Sequence, residues 1–253
     1  MRKLDMAWIN GNIYTADDKF STAAAFGVSG DRFSVVGSTE EVLENCDEHT
    51  KIIDLQGKTV LPGLIDAHLH ITNTGAMKLN LNLVSKQKQE ILDMVADAYS
   101  SAKKGEWIIG RGWINDTWDD PSFPTKEDLD AVAPDSPVYL TRACGHAAWA
   151  NTKAFETAGI TKDTPGGEFL HKQDGSLLGV VTDQAQDPFN KAIPSYTKEQ
   201  IQKIVLLAQQ EFFSNGLTSV QDAGSPEEWV EAWQELYEKE RLKLRIYVSM
   251  RVL

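Results

Sequence analysis

The sequence predicts an α/β protein that begins with a small β-sheet region, residues 1–58, and continues over residues 59–253 as alternating strands and helices. The first observation is a set of short β-prone segments separated by turn residues before residue 58. The second is that about five later apolar strands alternate with helical patterns, which is typical of a parallel sheet or a barrel. The third is a composition of 42% hydrophobic and 25% charged residues, which is that of a folded globular protein.

The first region is predicted to consist of hairpins. Its β-prone segments are residues 7–9, 13–15, 24–28, 33–37 and 52–55. Asn–Gly and Gly–Asp pairs between such segments are hairpin signals, so neighbouring segments are expected to pair antiparallel. Residues 38–48 contain a short helical pattern around Glu40 and Val42.

Beyond residue 58, apolar strands recur between helices. The predicted strands are 59–65, 107–110, 138–141, 217–222 and 244–250. Each intervening helix has a residue that can begin it, namely Ser85, Thr125, Asn151, Thr197 and Ser225. Thr197 and Gln200 also form a capping box. Residues 160–195 hold many turn residues, and they predict an irregular excursion from this pattern.

The number of strands leaves two architectures open. An eight-stranded barrel would need three more strand–helix units, so we expect this chain to be a truncated form of a longer protein. The alternative is a complete open sheet of about five strands. A half barrel would expose a sheet edge and apolar faces, which favour self-association into a homo-oligomer.

Charge and composition exclude several classes of protein. A net charge of −12, from 25 basic and 37 acidic residues, argues against nucleic acid as the main partner. Neither a signal peptide nor the roughly 18 to 20 apolar residues of a membrane helix is found in the sequence. Cys46 and Cys144 lack CxxC spacing and are predicted to be free thiols in a reducing compartment. We therefore expect a cytoplasmic protein that does not act at a membrane.

Asp66, His68 and His70 form the strongest chemical signal in the chain. Residues at every second position of a strand project to one face, so these three groups share a face of an otherwise apolar strand. Burying them is costly unless they are satisfied, and a divalent cation does this because neutral imidazoles are good metal ligands. The alternative is hydrogen bonding of the two histidines to the backbone or to Asp66. The His-x-His spacing after Pro–Gly favours metal ligation by His68 and His70.

A catalytic zinc ion usually has three protein ligands, so the remaining histidines are also candidates. His146 follows a predicted strand end, where barrel pockets form, and it is predicted to contact substrate. Metal ligation and a structural hydrogen bond are the alternatives for His146. His49 and His171 are predicted to be solvent-exposed.

Two further strand ends carry candidate residues. In residues 110–119, two glycines predict a tight turn, and Trp113 is predicted to form an aromatic wall of a substrate pocket, with ordinary core packing as the alternative. The Gly-x-Gly at 110–112 lacks the third glycine of a dinucleotide fingerprint. Asp222 ends the strand 217–222, where barrel enzymes place ligands and bases, although such residues also cap helices.

The stretch from Ile53 to His70 resembles the amidohydrolase superfamily, and within it the family 3 branch of YtcJ-like and N-substituted formamide deformylase-like proteins. This stretch is highly specific for the superfamily. Moderately specific stretches support the branch: 107–113, 137–142 with 144–146, 151–160, 165–167, 179–181 and 216–222. The resemblance covers essentially the whole chain.

The resemblance implies a TIM-type (β/α)₈ metal-dependent hydrolase barrel with a β-sandwich to which the N-terminal region contributes. It implies one or two divalent metals, usually zinc, with His68 and His70 as the ligands from the first barrel strand. It also implies that metal-activated water hydrolyses a non-peptide C–N bond, of the amide or formamide type, in a small molecule. The family's other metal ligands and its catalytic aspartate would lie beyond Leu253, so this chain is expected to be inactive alone. The alternative is a non-catalytic binding or oligomerising protein that keeps only the fold elements.

Overall fold

The computed structural model describes residues 3–160, 163 and 165–250. The chain divides into two compact units. The first contains the described residues up to Ile65 together with Gly216–Ser219, and the second contains Asp66–Asn215 and the described residues from Val220 onward. Whether residues 1–58 fold as a domain of their own stays a prediction.

The first unit contains two small sheets and one short helix. In chain order its elements are β1 (Met6–Ile9), β2 (Asn12–Tyr14), β3 (Thr22–Ala23), β4 (Ala25–Ser29), β5 (Arg32–Gly37), α1 (Thr39–Leu43), β6 (Lys51–Asp54) and β7 (Thr59–Val60). The strand orders are β5-β4-β1-β6 and β3-β2-β7. A small core of Leu4, Ala7, Ala25 and Val42 lies under the larger sheet and α1.

The hairpin prediction is right for one pair of strands and wrong for another. β4 and β5 pair antiparallel, with Ser29 opposite Arg32 across the predicted turn. β1 and β2 do not pair with each other, because each finds a parallel partner further along the chain, β6 and β7 respectively. Asn10, at φ +56°, lies between them and connects strands of different sheets. Long-range pairing therefore overrides the local Asn–Gly turn signal.

The later elements alternate between strands and helices. They are β8 (Leu64–Leu69), α2 (Ile71–Ala76), β9 (Leu81–Asn82), α3 (Lys88–Ser101), β10 (Ile108–Trp113), α4 (Lys126–Asp130), β11 (Val138–Arg142), β12 (Ala147–Ala150), α5 (Thr152–Thr157), β13 (Phe169–His171), β14 (Leu177–Thr182), α6 (Asp187–Ala192), α7 (Lys198–Ser214), β15 (Leu217–Ser225), α8 (Glu227–Glu238) and β16 (Arg245–Met250). The predicted strand 59–65 is interrupted at Leu61–Gly63 and forms β7 and the start of β8. Pro62 has no backbone N–H to donate to a ladder, which explains the interruption.

Two sheets of the described residues contain these strands, and the six-stranded one is mixed rather than wholly parallel. The orders are β13-β14-β12-β11-β10-β9 and β16-β15-β8. β9, β10 and β11 are parallel, as expected for strand–helix units, whereas β12, β14 and β13 add antiparallel strands at the other side of β11. The predicted excursion over 160–195 therefore contains ordered strands and α6, and residues 161, 162 and 164 within it lie outside the described residues. The fold is mixed α/β.

Local capping signals predict most helix starts correctly. The side chains of Thr125, Asn151 and Thr197 each accept a backbone N–H at the start of α4, α5 and α7, as predicted. Ser85 is an exception, because α3 begins at Lys88 after Gln87, and Ser85 has φ +59° outside the helix. Ser225 is a second exception, because it is the last residue of β15, and Pro226 is the residue that precedes α8. Among the described helices, none combines the length and the apolar character that crossing a bilayer requires.

Candidate metal centre and adjoining cavity

His68 and His70 lie close together, His68 near the end of β8 and His70 between β8 and α2. Their ring centroids are 5.7 Å apart with an interplanar angle of 82°. Both side chains are exposed, and His70 is the residue before the first turn of α2. The Asp66 carboxylate accepts the backbone N–H of His68, with 2.9 Å between Oδ1 and N. This bond holds the strand end in the conformation that carries the two imidazoles.

The chemistry of this pair suits a divalent metal, and the pair supplies part of a ligand set. Two neutral imidazoles are typical ligands of zinc and similar ions, and a catalytic zinc site has three protein ligands. Within the described residues, no group of three or more His, Cys, Asp or Glu side chains is arranged to hold a metal ion. His68 and His70 would therefore hold an ion together with further donors that the described His, Cys, Asp and Glu side chains do not supply.

Asp222 lies close to His70 because it hydrogen-bonds to Ile71, the residue that follows His70. It lies inside β15, which continues to Ser225 rather than ending at residue 222 as predicted. Asp222 is only 1% exposed, and its Oδ1 accepts the backbone N–H of Ile71 at 2.9 Å. Its other oxygen, Oδ2, is buried and has no hydrogen-bond partner among the described residues. Leaving a buried polar atom unpaired is costly, so this oxygen is a candidate acceptor for a group at the metal centre. The strand-end rule singled out Asp222 from sequence, but not its partner Ile71.

His146 lies in the turn between β11 and β12. Its side chain is 80% exposed, and its Nδ1 is 3.1 Å from Oδ1 of Asp183. It borders an open groove that also contains Arg142, Cys144 and Gly167. This groove is lined by none of His68, His70 or α2, and substrate contact by His146 stays a prediction.

The other two histidines are at the surface. His49 is 85% exposed beside Glu48, and His171 is 37% exposed beside Asp163. Both positions agree with the exposure expected from sequence. The structure gives neither residue a contact with His68 or His70 among the described hydrogen bonds and ring contacts.

Trp113 is buried in the core of the second unit. It has no exposed surface, its Nε1 donates to the carbonyl oxygen of Leu140 at 2.7 Å, and its ring packs near Trp118 and Trp149 at centroid distances of 5.9 and 6.4 Å. The guanidinium carbon of Arg142 lies 5.8 Å from the ring centroid. These are the surroundings of ordinary packing, the alternative to a pocket wall, and substrate contact by Trp113 stays a prediction without structural support.

The two glycines beside Trp113 do not form the tight turn expected from sequence. Gly110 and Gly112 lie inside β10. A Cβ at Gly110 would lie 3.0 Å from Cβ of Leu81, and one at Gly112 would lie 2.7 Å from Cγ2 of Val84. The register of β10 against β11 also shifts between Arg111 and Trp113. The glycines therefore permit close strand packing around a bulge, a role that glycine often has in strands.

A cavity of about 460 Å³ adjoins the start of α2. Thr72 and Asn73, which follow His70, line it together with residues of β9, β10, β11 and the segment before α7. Arg111 of β10, an exposed residue, also lines this cavity. Sequence reasoning did not single out Arg111, although a basic residue between two glycines at a strand end was the available signal.

Cys144 is an exposed thiol in the groove of His146. Partial burial raises its pKa, but the backbone N–H of His146 and the guanidinium of Arg142 lower it by more, so the pKa of Cys144 lies below its usual value. Nη1 of Arg142 is 3.6 Å from Sγ of Cys144. Arg142 also pairs with Asp116, which holds the guanidinium in place. Cys46 is half-buried and is likewise a free thiol.

The chain is similar in sequence to amidohydrolases and in structure to a metal-dependent hydrolase. It is 33% identical to the putative amidohydrolase YtcJ of Bacillus subtilis, over 83% of this chain and 41% of that protein. It is 30% identical to the N-substituted formamide deformylase of Arthrobacter pascens, over 87% of this chain and 42% of that protein. An uncharacterized metal-dependent hydrolase from Pyrococcus furiosus superposes with a TM-score of 0.75 and 28% identity, over 97% of this chain and 50% of that chain.

These sequence matches cover most of this chain but less than half of each relative. The chain spans about two fifths of the length of these two curated relatives. Residues 51–251 match the amidohydrolase family (Amidohydro_3), which confirms the resemblance predicted from the His-x-His stretch. This chain belongs to the amidohydrolase family.

Proposed function

We propose that this chain forms part of a metal-dependent hydrolase that cleaves a non-peptide C–N bond of the amide or formamide type in a small molecule. The observation that carries the proposal is the pair of neighbouring imidazoles of His68 and His70 at the end of β8, in a chain of the amidohydrolase family. The deformylase relative is named for action on N-substituted formamides, which supports this bond class. We further propose that the sheets β13-β14-β12-β11-β10-β9 and β16-β15-β8 belong to a (β/α)₈ barrel and that the metal is zinc.

The chain's own residues would hold and orient the metal centre. His68 and His70 would bind the ion through neutral ring nitrogens, and Asp66 would keep the strand end in place through the backbone of His68. Asp222 would fix the first residue of α2 directly after His70. A divalent ion, when bound, supplies Lewis acidity toward an amide carbonyl and lowers the pKa of coordinated water.

The experiment that tests the proposal is the metal content of the purified 253-residue chain, measured by elemental analysis with an intact mass on the same sample. We expect about one divalent ion per chain after loading with zinc, by the ligand preferences of imidazole. His68→Ala and His70→Ala should each lose it. His49→Ala is the matched control, because His49 is an exposed histidine beside Glu48 in the first unit and should leave the metal content unchanged. Equal metal content in all four proteins would mean that the ligands lie elsewhere.

Activity is expected to require more than this pair. Two imidazoles are fewer than the three protein ligands of a catalytic zinc site, so we expect the chain alone to bind metal without hydrolysing amides. The assay is formate release from an N-substituted formamide, with and without zinc. Metal-dependent formate release by the chain alone would show that the remaining donors lie within these residues.

A further inference from the structure

The cavity beside α2 has an unusual charge. Among the described residues that line it, Arg111 is the one charged side chain, and no Asp or Glu side chain joins it. The whole chain has 37 acidic and 25 basic residues and is therefore negatively charged. The charge of this cavity has the opposite sign. An unneutralised cation in a concave site favours an anionic ligand.

Arg111 has no ion-pair partner in the part of the chain that the structure describes. Arg142 pairs with Asp116, and Lys126 pairs with Glu127, but no described carboxylate lies within 4.0 Å of the Arg111 guanidinium. The guanidinium lies beside the turn at Gly145, where a Cβ would be 3.2 Å from Nη2 of Arg111. Gly145 has φ +79°, so both the backbone conformation and the space for Arg111 favour glycine there. The side chain is accommodated without being neutralised.

Hydroxyl groups border the same cavity. Thr141 is the register partner of Arg111 across the parallel β10–β11 pair, and its hydroxyl makes no hydrogen bond to a described residue. The Tyr196 hydroxyl accepts a hydrogen bond from Nδ2 of Asn80 at 2.8 Å, which leaves its own proton available to donate. A guanidinium with nearby hydroxyl donors matches a carboxylate, which accepts up to two parallel N–H bonds from arginine.

The cavity also adjoins the candidate metal centre. Thr72 and Asn73 line it, and they lie in the first turn of α2, two and three residues after His70. Leu81, Ile109 and Trp229 supply apolar surface to the same cavity. A ligand that fills this space therefore meets apolar side chains, hydroxyl donors and one guanidinium.

From this arrangement we infer that Arg111 is a specificity-determining residue that binds the carboxylate of an anionic amide substrate, of the N-acyl amino acid class. The apolar residues of the cavity would contact the acyl or side-chain portion of that substrate. The inference rests on the proposed function for the identity of the scissile bond. The preference of the cavity for a carboxylate is a property of Arg111 and does not require the metal.

The test compares two probes that differ by one charge, N-benzoylglycine and its uncharged amide N-benzoylglycinamide. Their dissociation constants are measured by isothermal titration calorimetry with the 253-residue chain, without and with zinc. We expect the carboxylate to bind about tenfold tighter than the amide or more, the usual scale for a hydrogen-bonded charge pair. Arg111→Met should abolish this preference, and Arg111→Lys should restore part of it, since lysine keeps the charge but not the bidentate geometry.

Arg241→Gln is the matched control, because it removes the same charge from a different surface groove of the second unit. It should leave the preference intact. Equal binding of the two probes, binding of neither, or an unchanged preference in Arg111→Met would each overturn the inference. A carboxylate preference in a chain that binds no metal would uphold the role of Arg111 while contradicting the proposed metal centre. If the chain binds metal, His68→Ala abolishes that binding, and neither probe is preferred, the metal centre is upheld and the role of Arg111 is contradicted.

Discussion

The carboxylate of Asp222 accepts the backbone N–H of Ile71, with 2.9 Å between Oδ1 and N. This contact joins β15 to the residue that follows His70, although the two positions are 151 apart in the sequence. His70 makes no side-chain cap to α2, so the N-terminal N–H of the helix depends on Asp222 instead. The contact therefore ties the position of a candidate metal ligand to a distant strand.

We expect Asp222→Ala to weaken zinc binding. Losing the acceptor frees the start of α2 and the adjacent His70, and changes in groups that orient metal ligands typically cost 10- to 100-fold in affinity. Zinc affinity is measured by competition with a chromophoric chelator. Asp222→Asn is the control, because its Oδ1 can still accept the N–H of Ile71. Wild-type affinity in Asp222→Ala would show that this contact does not position His70.

We expect Cys144 to be alkylated faster than Cys46 near neutral pH. The lowered pKa of Cys144 increases its thiolate fraction at pH 7, and the thiolate is the reactive form. Cys46 is half-buried, and its Sγ lies 3.4 Å from the carbonyl oxygen of Val42. Arg142→Gln should slow the reaction at Cys144 and leave Cys46 unaffected. Peptide mass spectrometry after timed iodoacetamide treatment gives both rates, and equal rates at the two cysteines would contradict the prediction.

Glu127 should contribute a pH-dependent part of the stability. Partial burial raises its pKa, but hydrogen bonds from Lys172 and Lys126 lower it by more, to about 2 from 4.5. A carboxyl whose folded pKa is lowered stabilises the protein above its unfolded pKa and loses that contribution as the pH falls through its folded pKa. The side chain is 48% exposed, so solvent screening reduces the expected contribution to about 1 kcal/mol or less.

The corresponding measurement is urea unfolding of Glu127→Gln and wild type at several pH values. The variant should be less stable at pH 7, and the difference should shrink as the pH falls from 4.5 to about 2. Glu231→Gln is the control, since Glu231 is exposed on α8 and has no ion pair among the described residues. A difference that stays constant over this pH range would rule out the ion pairs as its cause.

Gly75→Ala should destabilise the second unit although Gly75 lies in a helix. Alanine is normally better than glycine in a helix by roughly 1 kcal/mol. At this position, however, a Cβ would lie 2.1 Å from the backbone oxygen of Ile204, where α2 packs on α7. Because a backbone atom cannot rotate away, we expect a loss of about 1–3 kcal/mol in the free energy of unfolding. Gln210→Ala, on the exposed side of α7, is the control and should change it by about 0.5 kcal/mol or less; a neutral Gly75→Ala would contradict the close approach.

The sequence alone was sufficient for features that depend on residues a few positions apart. The capping box of Thr197 and Gln200 forms as predicted, and Thr125 caps α4 as predicted, because each cap and its partner are three residues apart. The buried face of α7 also follows from its 3.6-residue period, since Ile201, Ile204 and Val205 are all buried. The nearness of His68 and His70 rests on the same kind of local geometry. These features do not require knowledge of the neighbouring elements.

What the tertiary structure decided involves residues that are far apart in the chain. The sequence could not show that Asp222 meets Ile71, that Trp113 packs against two other tryptophans, or that Arg111 lines a cavity without a carboxylate. It also did not show that β12 and β14 extend the sheet antiparallel beyond β11. Strand order and register arise from packing between distant segments, and no local pattern encodes which segment becomes the neighbour. The sequence thus identified His68 and His70 as the predicted donors of the candidate metal centre, whereas the packing of distant segments determined their surroundings.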